Sequence, residues 1–316
     1  MIKKYVSASS GLSILFCFVL MAMTGFTNIV SAQSKAAEDF WNSRNAYLGQ
    51  QPPGDIPLVF GDGLLADSGI VLGRVAFSKD GRTFYYGFAR HWFSFEGTGV
   101  KQIHYDGQHW GLPQIIAHDA GTPTLSIDET KLYFGGKRSA VLVSEKTGDG
   151  WSAPVAWPQT KYALYNFMPT NSGAFYAGSN GNAGDIKNYS TYDFCKLTIN
   201  GADTSIVSLG SPLNTAGFDG DFYIAPDESY IIISAKETPT FECELWISFR
   251  HNNGTWTNPV SLGDHINTGL AHRFGQYVSP DGKYLFYTKG TNEKDCHFYW
   301  VRFDTLLAKL KMAARL

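Results

Sequence analysis

The sequence predicts an all-β fold: a five-bladed β-propeller of four-stranded antiparallel blades, with six blades as the alternative. Its clearest unit is SPDGKYLFY (279–287), in which the tight-turn pair Asp281-Gly282 is flanked by alternating apolar residues. This pattern is typical of a β-hairpin. Weaker copies recur roughly every fifty residues, at 76–86, 125–134, 168–178 and 223–233. Because one blade cannot bury both faces alone, the recurrence predicts a ring of blades.

Composition supports one large β domain and narrows the choice of partners. The chain of 316 residues is 44% hydrophobic and 15% aromatic, which is enough for sheet faces packed on sheet faces. Its 26 basic and 28 acidic residues nearly balance, without any basic run. Nucleic acid is therefore not an expected partner.

The N-terminus has the pattern of a signal peptide, assigned to residues 1–32. Lys3 and Lys4 precede an apolar run over 12–23, and Val30-Ser31-Ala32 forms a small-residue cleavage site. An uncleaved membrane anchor is the competing interpretation, but the run is shorter than the roughly 20 residues of a spanning helix. We expect a periplasmic or extracellular protein without a membrane span after cleavage.

A lead-in segment (33–54) precedes the predicted propeller (55–304). Residues 35–48 suit a short helix or an ordered lead-in, which the prolines and glycine of 51–54 end. The strand 56–60 has no blade of its own, so we expect it to complete the last blade. Residues 305–316 form a short amphipathic helix that caps an exposed face.

Each repeat runs from an innermost strand through the turn to a second strand, a variable loop, a third strand and an outer strand. Trp110, Trp151 and Trp256 stand where the outer strands begin. Since the repeat itself explains this spacing, we interpret them as packing residues of the blades and not as ligand platforms.

Three cysteines lie outside the predicted signal peptide: Cys195, Cys243 and Cys296. Alignment of the repeats places each of them just before a third strand, at equivalent points of consecutive blades. Such points should lie farther apart than the roughly 7 Å between Cα atoms that a disulfide allows. We therefore predict three buried, reduced thiols, and the same spacing disfavours a metal cluster made of them.

Several segments carry a resemblance to a known family. These are 47–60, 222–234, 244–268 and 277–290, followed by the closing Tyr299-Trp300. On them the chain resembles the secreted bacterial WD-like propeller repeat proteins, which are related to the propeller of TolB. The resemblance implies an exported propeller without cofactor or metal that acts in binding or assembly, with no shared catalytic motif.

We expect the site on the face where the loops from outer to inner strands meet those from second to third strands, because propellers usually bind ligands there. A long insertion at 178–192 overhangs this face. A mixed ring of charges there suits a polar ligand, such as an oligosaccharide or a peptide of a partner protein, although its members can also pair with one another. Arg273 is the residue expected to bind a carboxylate in two hydrogen bonds. The ring comprises Arg74, His118, Asp119, Tyr165, Asn166, Asp219, Asp221, His272, Arg273 and Gln276.

The leading function hypothesis is a binding or protein-assembly module, and the alternative is a carbohydrate-active enzyme. The chain lacks the spacing of a sialidase Asp-box and the Gly-x-Ser-x-Gly motif of a hydrolase domain. An oligogalacturonide-lyase-like metal set drawn from His118, His272 and Gln276 has no tight His-x-His spacing to support it. Catalytic residues stay unassigned.

Overall fold

Five antiparallel sheets form the blades of a propeller. The structure is a computed structural model that describes residues 34–65, 69–92, 96–137, 140–148, 150–157, 162–181, 191–200 and 203–314. The predicted signal peptide lies outside these residues, as does 182–190 of the insertion. Within them, every helix is too short or too polar to cross a membrane.

The blades follow one another along the chain, and each runs from an inner to an outer strand. Blade 1 consists of β2 (Ile70–Phe77), β3 (Thr83–Ala89), β4 (Gly99–His104) and β5 (Gln114–His118). Blade 2 consists of β6 (Ala120–Leu125), β7 (Lys131–Gly136), β8 (Val141–Thr147) and β10 (Val155–Ala156), with β9 (Gly150–Trp151) paired to β8. Blade 3 consists of β11 (Tyr165–Pro169), β12 (Phe175–Ser179), β13 (Asp193–Asn200) and β14 (Asp203–Ser208).

The last two blades complete the ring. Blade 4 consists of β15 (Phe222–Ile224), β16 (Tyr230–Ala235), β17 (Glu244–Phe249) and β18 (Val260–Ser261). Blade 5 consists of β19 (His272–Val278), β20 (Tyr284–Asn292), β21 (Asp295–Arg302) and the N-terminal β1 (Leu58–Val59). Each inner strand contacts the inner strands of both flanking blades. The predicted count of five blades is confirmed.

Short helices flank the propeller. They are α1 (34–41), a 3-10 turn (Tyr47–Gly49), α2 (Asp264–Asn267) and α3 (Asp304–Ala313). The helix of the lead-in segment spans only 34–41, the rest of 35–48 is ordered without being α-helical, and Tyr47 and Leu48 adopt positive φ. Tyr47 is buried among the aromatic rings of blades 1 and 5, so tertiary packing overrides helical propensity there. As predicted, α3 caps a core, through Leu306, Leu307 and Leu310.

Aromatic packing and free thiols agree with the sequence analysis. Trp110, Trp151 and Trp256 each pack against a hydrophobic core of the blades. The three cysteines Cys195, Cys243 and Cys296 are buried and unpaired with one another. Both predictions are confirmed.

The N-terminal strand joins the two ends of the ring. Leu58 and Val59 of β1 pair with Trp300 and Tyr299 of β21, and the Phe60 amide donates to the Phe298 carbonyl at 2.7 Å. The Phe60 ring is buried between blades 5 and 1, within 5.4 Å of the rings of Phe84, Phe286 and Trp300. The seam is therefore held by one buried aromatic ring more than by its two-residue strand.

We expect Phe60→Ala to lower the free energy of unfolding by about 3–5 kcal/mol, the usual cost of removing a buried aromatic ring. Leu58→Ala is the matched control, because Leu58 lies on the same strand and is 48% exposed. Its effect should stay within about 0.5 kcal/mol. Urea denaturation measures both. Equal losses in the two variants would contradict the role of Phe60.

A buried carboxylate joins blades 3 and 4. Glu228 occupies the last position of the blade 4 turn with φ 60°, where the turns of blades 1, 3 and 5 have glycine. Its carboxylate accepts hydrogen bonds from Tyr176, Lys196 and Arg250, and from Thr170 and Ser172 of the blade 3 turn. Burial alone would raise the pKa of Glu228, but the bonds from Lys196, Ser172 and Tyr176 outweigh it and lower that pKa to about 2.

The depressed pKa gives a pH-dependent stability. A carboxylate with a lowered folded pKa contributes fully above its unfolded value, and the contribution disappears as the pH falls through about 2. We expect Glu228→Gln to cost about 2 kcal/mol at neutral pH, with the difference from the wild type shrinking below about pH 4.5. Asp227→Asn, at a neighbouring carboxylate that accepts bonds from Ser229, is the control. Unfolding curves at a series of pH values measure the difference, which a flat profile would contradict.

Candidate functional site

Bulges in the inner strands aim polar side chains at the propeller axis. Four of the five inner strands shift register against their second strands, within 71–75, 121–124, 165–168 and 274–277. Each shift contains one residue at positive φ, namely Gly73, Thr122, Asn166 and Gly275. Gly275 has no alternative, since a Cβ there would stand 2.0 Å from the Gly73 carbonyl oxygen. A bulge turns the next side chain inward, where a regular strand would not present it.

Arg74 lies at the axis and connects blade 1 to three other blades. Its Nε donates to the Gln276 carbonyl at 3.2 Å, Nη1 to Thr124 Oγ1 at 2.9 Å, and Nη2 to the Phe222 carbonyl at 3.0 Å. The side chain is 1% exposed. Burial lowers the pKa of Arg74 to about 10, although the Asp221 carboxylate opposes this, so the guanidinium is charged at neutral pH.

The remaining polar residues at the axis come from blades 3, 4 and 5. Asn166 Nδ2 donates to the Gly220 carbonyl at 2.9 Å and to Asp221 Oδ1 at 2.6 Å. Gln276 Nε2 donates to Ser234 Oγ at 2.8 Å. Burial raises the pKa of Asp221, while His272, Asn166 and Arg74 counteract that rise. The structure thus brings together Arg74, Asn166, Asp221 and Gln276 from the predicted ring.

Arg273 is occupied by main-chain carbonyls. Its three guanidinium nitrogens donate to five of them, those of Cys243, Ile266, Thr268, Gly269 and Ala271, at 2.5–3.2 Å. The residue is 1% exposed. These bonds supply donors to the main-chain carbonyls around α2. Among the described residues Arg273 therefore has a structural role, and its guanidinium binds main-chain carbonyls in place of the predicted carboxylate.

The other predicted site residues lie apart from the axis, except Tyr165, which contacts the axial residue Asp221. The Asp219 carboxylate accepts bonds from the amide and hydroxyl of Thr215, and burial raises the pKa of Asp219 to about 6. His118 and Asp119 are exposed, and Asp119 pairs with Lys137 at 3.3 Å. His272 is buried, and its Nδ1 donates to the Phe241 carbonyl at 2.7 Å. Tyr165 begins β11 and hydrogen-bonds Asp221.

An open cavity lies on the opposite face, where the hairpin turns meet. It has a volume of about 1160 Å³ and is lined by residues from the turns of all five blades. Arg74 and Thr124 reach it from the axis, and Ala36 and Ala37 of α1 stand beside it. Its walls include Phe77, Met168, Tyr223 and Tyr277, and its rim includes Lys79, Asp80, Glu129 and Asp227.

The sequence does not point directly to this cavity, because the longer loops, which usually carry binding residues, lie on the other face. One signal was available: Gly73-Arg74 and Gly275-Gln276 each place a glycine and then a long polar residue inside an apolar strand pattern. A glycine inside a strand often marks a bulge. Such a bulge points the following residue to the axis and, for Arg74, to the cavity on the hairpin face.

The role of Arg273 gives a stability prediction. Arg273→Ala should lower the free energy of unfolding by about 3 kcal/mol or more, since it leaves several buried carbonyls without a donor. Lys289 is its cross-strand partner and serves as the control. Lys289→Ala, at a surface cation, should cost less than about 1 kcal/mol. Chemical denaturation of both variants measures this, and a wild-type curve for Arg273→Ala would refute the structural role.

Comparison with known proteins finds no family for the chain and only distant similarity to solved structures. No protein-family model matches the chain, and neither does any curated protein. One similar solved structure is a putative TolB from Agrobacterium tumefaciens, at 14% identity and a TM-score of 0.46, with 73% of this chain and 77% of that chain covered. Another is the periplasmic gluconolactonase of Pseudomonas aeruginosa, at 13% identity and a TM-score of 0.43, with 69% of this chain and 65% of that chain covered. A sialidase from Trypanosoma rangeli is similar over 84% of this chain and 60% of its own, at 13% identity and a TM-score of 0.45. At these identities the similarity is one of propeller fold.

Proposed function

We propose that the protein is an exported binding module that takes a polar ligand bearing a carboxylate into the cavity on the hairpin face. Export is inferred from the signal-peptide pattern of residues 1–32. The binding role is inferred from the site. One observation carries it: an open cavity of about 1160 Å³ has a buried, charged guanidinium, that of Arg74, at its inner end.

The chemistry of the cavity favours an anionic group at its inner end. Nη1 and Nη2 of Arg74 each use one N–H in the bonds to Thr124 and Phe222, so each retains a second N–H. Away from bulk water, the attraction between a guanidinium and a carboxylate is much less screened than at the surface. The aromatic walls suit the apolar face of a sugar ring or a peptide side chain.

The rim favours specificity for a ligand with polar groups along its length. Lys79 stands beside the carboxylates of Asp80, Glu129 and Asp227. Hydroxyl or amide groups of a ligand would find both donors and acceptors there. An acidic oligosaccharide and a peptide with a free C-terminus both combine these features, and they form the two ligand classes of the proposal.

The proposal is tested by blocking the cavity. Wild-type protein is titrated with a panel of uronic-acid oligosaccharides and of peptides with free or amidated C-termini, followed by calorimetry. We expect binding by members with a carboxylate. Ala37→Trp places an indole beside the cavity and should weaken that binding at least about tenfold, the effect of losing roughly 1.4 kcal/mol.

His118→Ala is the matched control, because His118 is exposed on the opposite face. Its affinity should equal that of the wild type. Loss of binding in His118→Ala with retention in Ala37→Trp would place the site on the other face and overturn the proposal. Turnover of a bound oligosaccharide, detected by chromatography of the ligand, would favour the carbohydrate-active enzyme instead.

A further inference from the structure

We propose a second site, for Zn²⁺, formed by Glu237, Cys243 and His272 between blades 4 and 5 on the face opposite the cavity. One ligand atom from each residue lies within 4.8 Å of the other two. Cys243 and His272 are buried, and Glu237 is partly exposed, which gives solvent access from one side. Elsewhere in the described residues no comparable group of His, Cys, Asp and Glu comes together.

The elements of two blades position the three ligands. His272 begins the inner strand β19, Glu237 follows the second strand β16, and Cys243 precedes the third strand β17. The latter two thus flank the loop that joins β16 to β17. All three therefore meet at the same end of neighbouring blades, although 35 positions separate the first from the last.

His272 is held in the tautomer that a metal ligand needs. Its Nδ1 lies 2.7 Å from the Phe241 carbonyl oxygen. Because a carbonyl only accepts hydrogen bonds, Nδ1, which also lies 3.7 Å from Cys243 Sγ, carries the proton, and Nε2 keeps the lone pair that would bind the metal. Metal-binding histidines usually donate their other N–H to a carbonyl or carboxylate in this way. The ring is also fixed by stacking on Phe274, at a centroid distance of 4.3 Å.

Glu237 lacks a compensating cation. It makes no hydrogen bond or ion pair with any described residue, and the charges that act on it come from the carboxylates of Asp221 and Asp219. The nearest buried cation of blade 5, Arg273, is committed to main-chain carbonyls. A bound divalent cation would supply a positive charge beside Glu237.

Cys243 favours Zn²⁺ over Mg²⁺ and Ca²⁺. A thiol beside an imidazole and a carboxylate suits zinc, whereas Mg²⁺ and Ca²⁺ prefer oxygen ligands. At present the Cys243 thiol donates to the Arg273 carbonyl at 3.1 Å and accepts from the Arg273 amide at 3.2 Å. On metal binding the thiol proton would pass to solvent, and the amide would continue to donate to the thiolate. Three protein ligands leave one tetrahedral position for water.

The equivalent cysteines of the neighbouring blades show why only this one qualifies. Cys195 lies within the third strand of blade 3, where its thiol donates to the Ser179 carbonyl, and Cys296 lies within the third strand of blade 5, where its sulfur accepts from Trp92 Nε1. The sequence alignment places both just before their strands, which holds for Cys243 alone of the three. Neither belongs to a group of potential ligands within the described residues. They are therefore matched controls for Cys243.

The test is zinc binding by chelator-treated full-length protein, measured by calorimetry with ZnCl₂ and by metal analysis after dialysis. We expect one Zn²⁺ per chain in the wild type and in the Cys195→Ser and Cys296→Ser variants. Cys243→Ser and Glu237→Gln should each weaken zinc binding by about 10- to 100-fold. With Co²⁺ as the probe, a thiolate-to-metal charge-transfer band should appear in the wild type and be lost only in Cys243→Ser.

Glu237→Gln keeps the test decisive if Cys243→Ser fails to fold, since Glu237 is partly exposed and has no bond to lose. Zinc should raise the melting temperature of the wild type and not that of Glu237→Gln. Absence of zinc binding by the wild type would overturn the proposal. So would zinc binding that Glu237→Gln leaves unchanged, or that Cys195→Ser weakens equally. Because the cavity lies on the other face, none of these outcomes depends on the proposed binding function.

Discussion

The position of the Arg74 guanidinium is the constraint on which the centre of the molecule depends. A charge buried at the axis must be matched by acceptors, and three other blades supply them, two through main-chain carbonyls and one through Thr124. The blades must therefore approach closely enough for one side chain to reach four inner strands. That approach requires glycine where backbones touch, as at Gly275. The close approach of the inner strands of blades 1, 2, 4 and 5 thus accommodates one buried cation.

The architecture was predictable from the sequence because each blade repeats a local signal. The turn pair Asp281-Gly282 and its copies mark hairpins, and the orphan strand before Phe60 indicates the ring closure. The directions of individual side chains, in contrast, were not predictable from the sequence. An irregularity in an inner strand changes the direction of the side chains within it, and the one between Val71 and Val75 turns Arg74 to the axis. Arg273 donates to main-chain carbonyls and His118 lies at the surface, and the repeat pattern indicated neither position.

The two faces of the propeller differ in kind. The hairpin turns are short and nearly identical, so they surround a regular opening lined by all five blades. The loops on the other face differ in length, and they bring unlike residues such as Glu237 and Cys243 into contact. A symmetric cavity suits an extended ligand that lies along the axis. An irregular loop surface suits a small, localised site, because a single pair of blades can supply every ligand.

The seam at β1 also determines how the chain can come apart. A linear repeat array can unravel one unit at a time from an exposed end, because each unit contacts only its neighbours. Here blade 5 contains both the first strand and the last three, so neither end of the array is exposed. Loss of any one blade must open the ring as a whole. The five blades, although each is specified by its own local sequence, therefore behave as a single cooperative domain. The strand β1 closes the ring, although it is only two residues long.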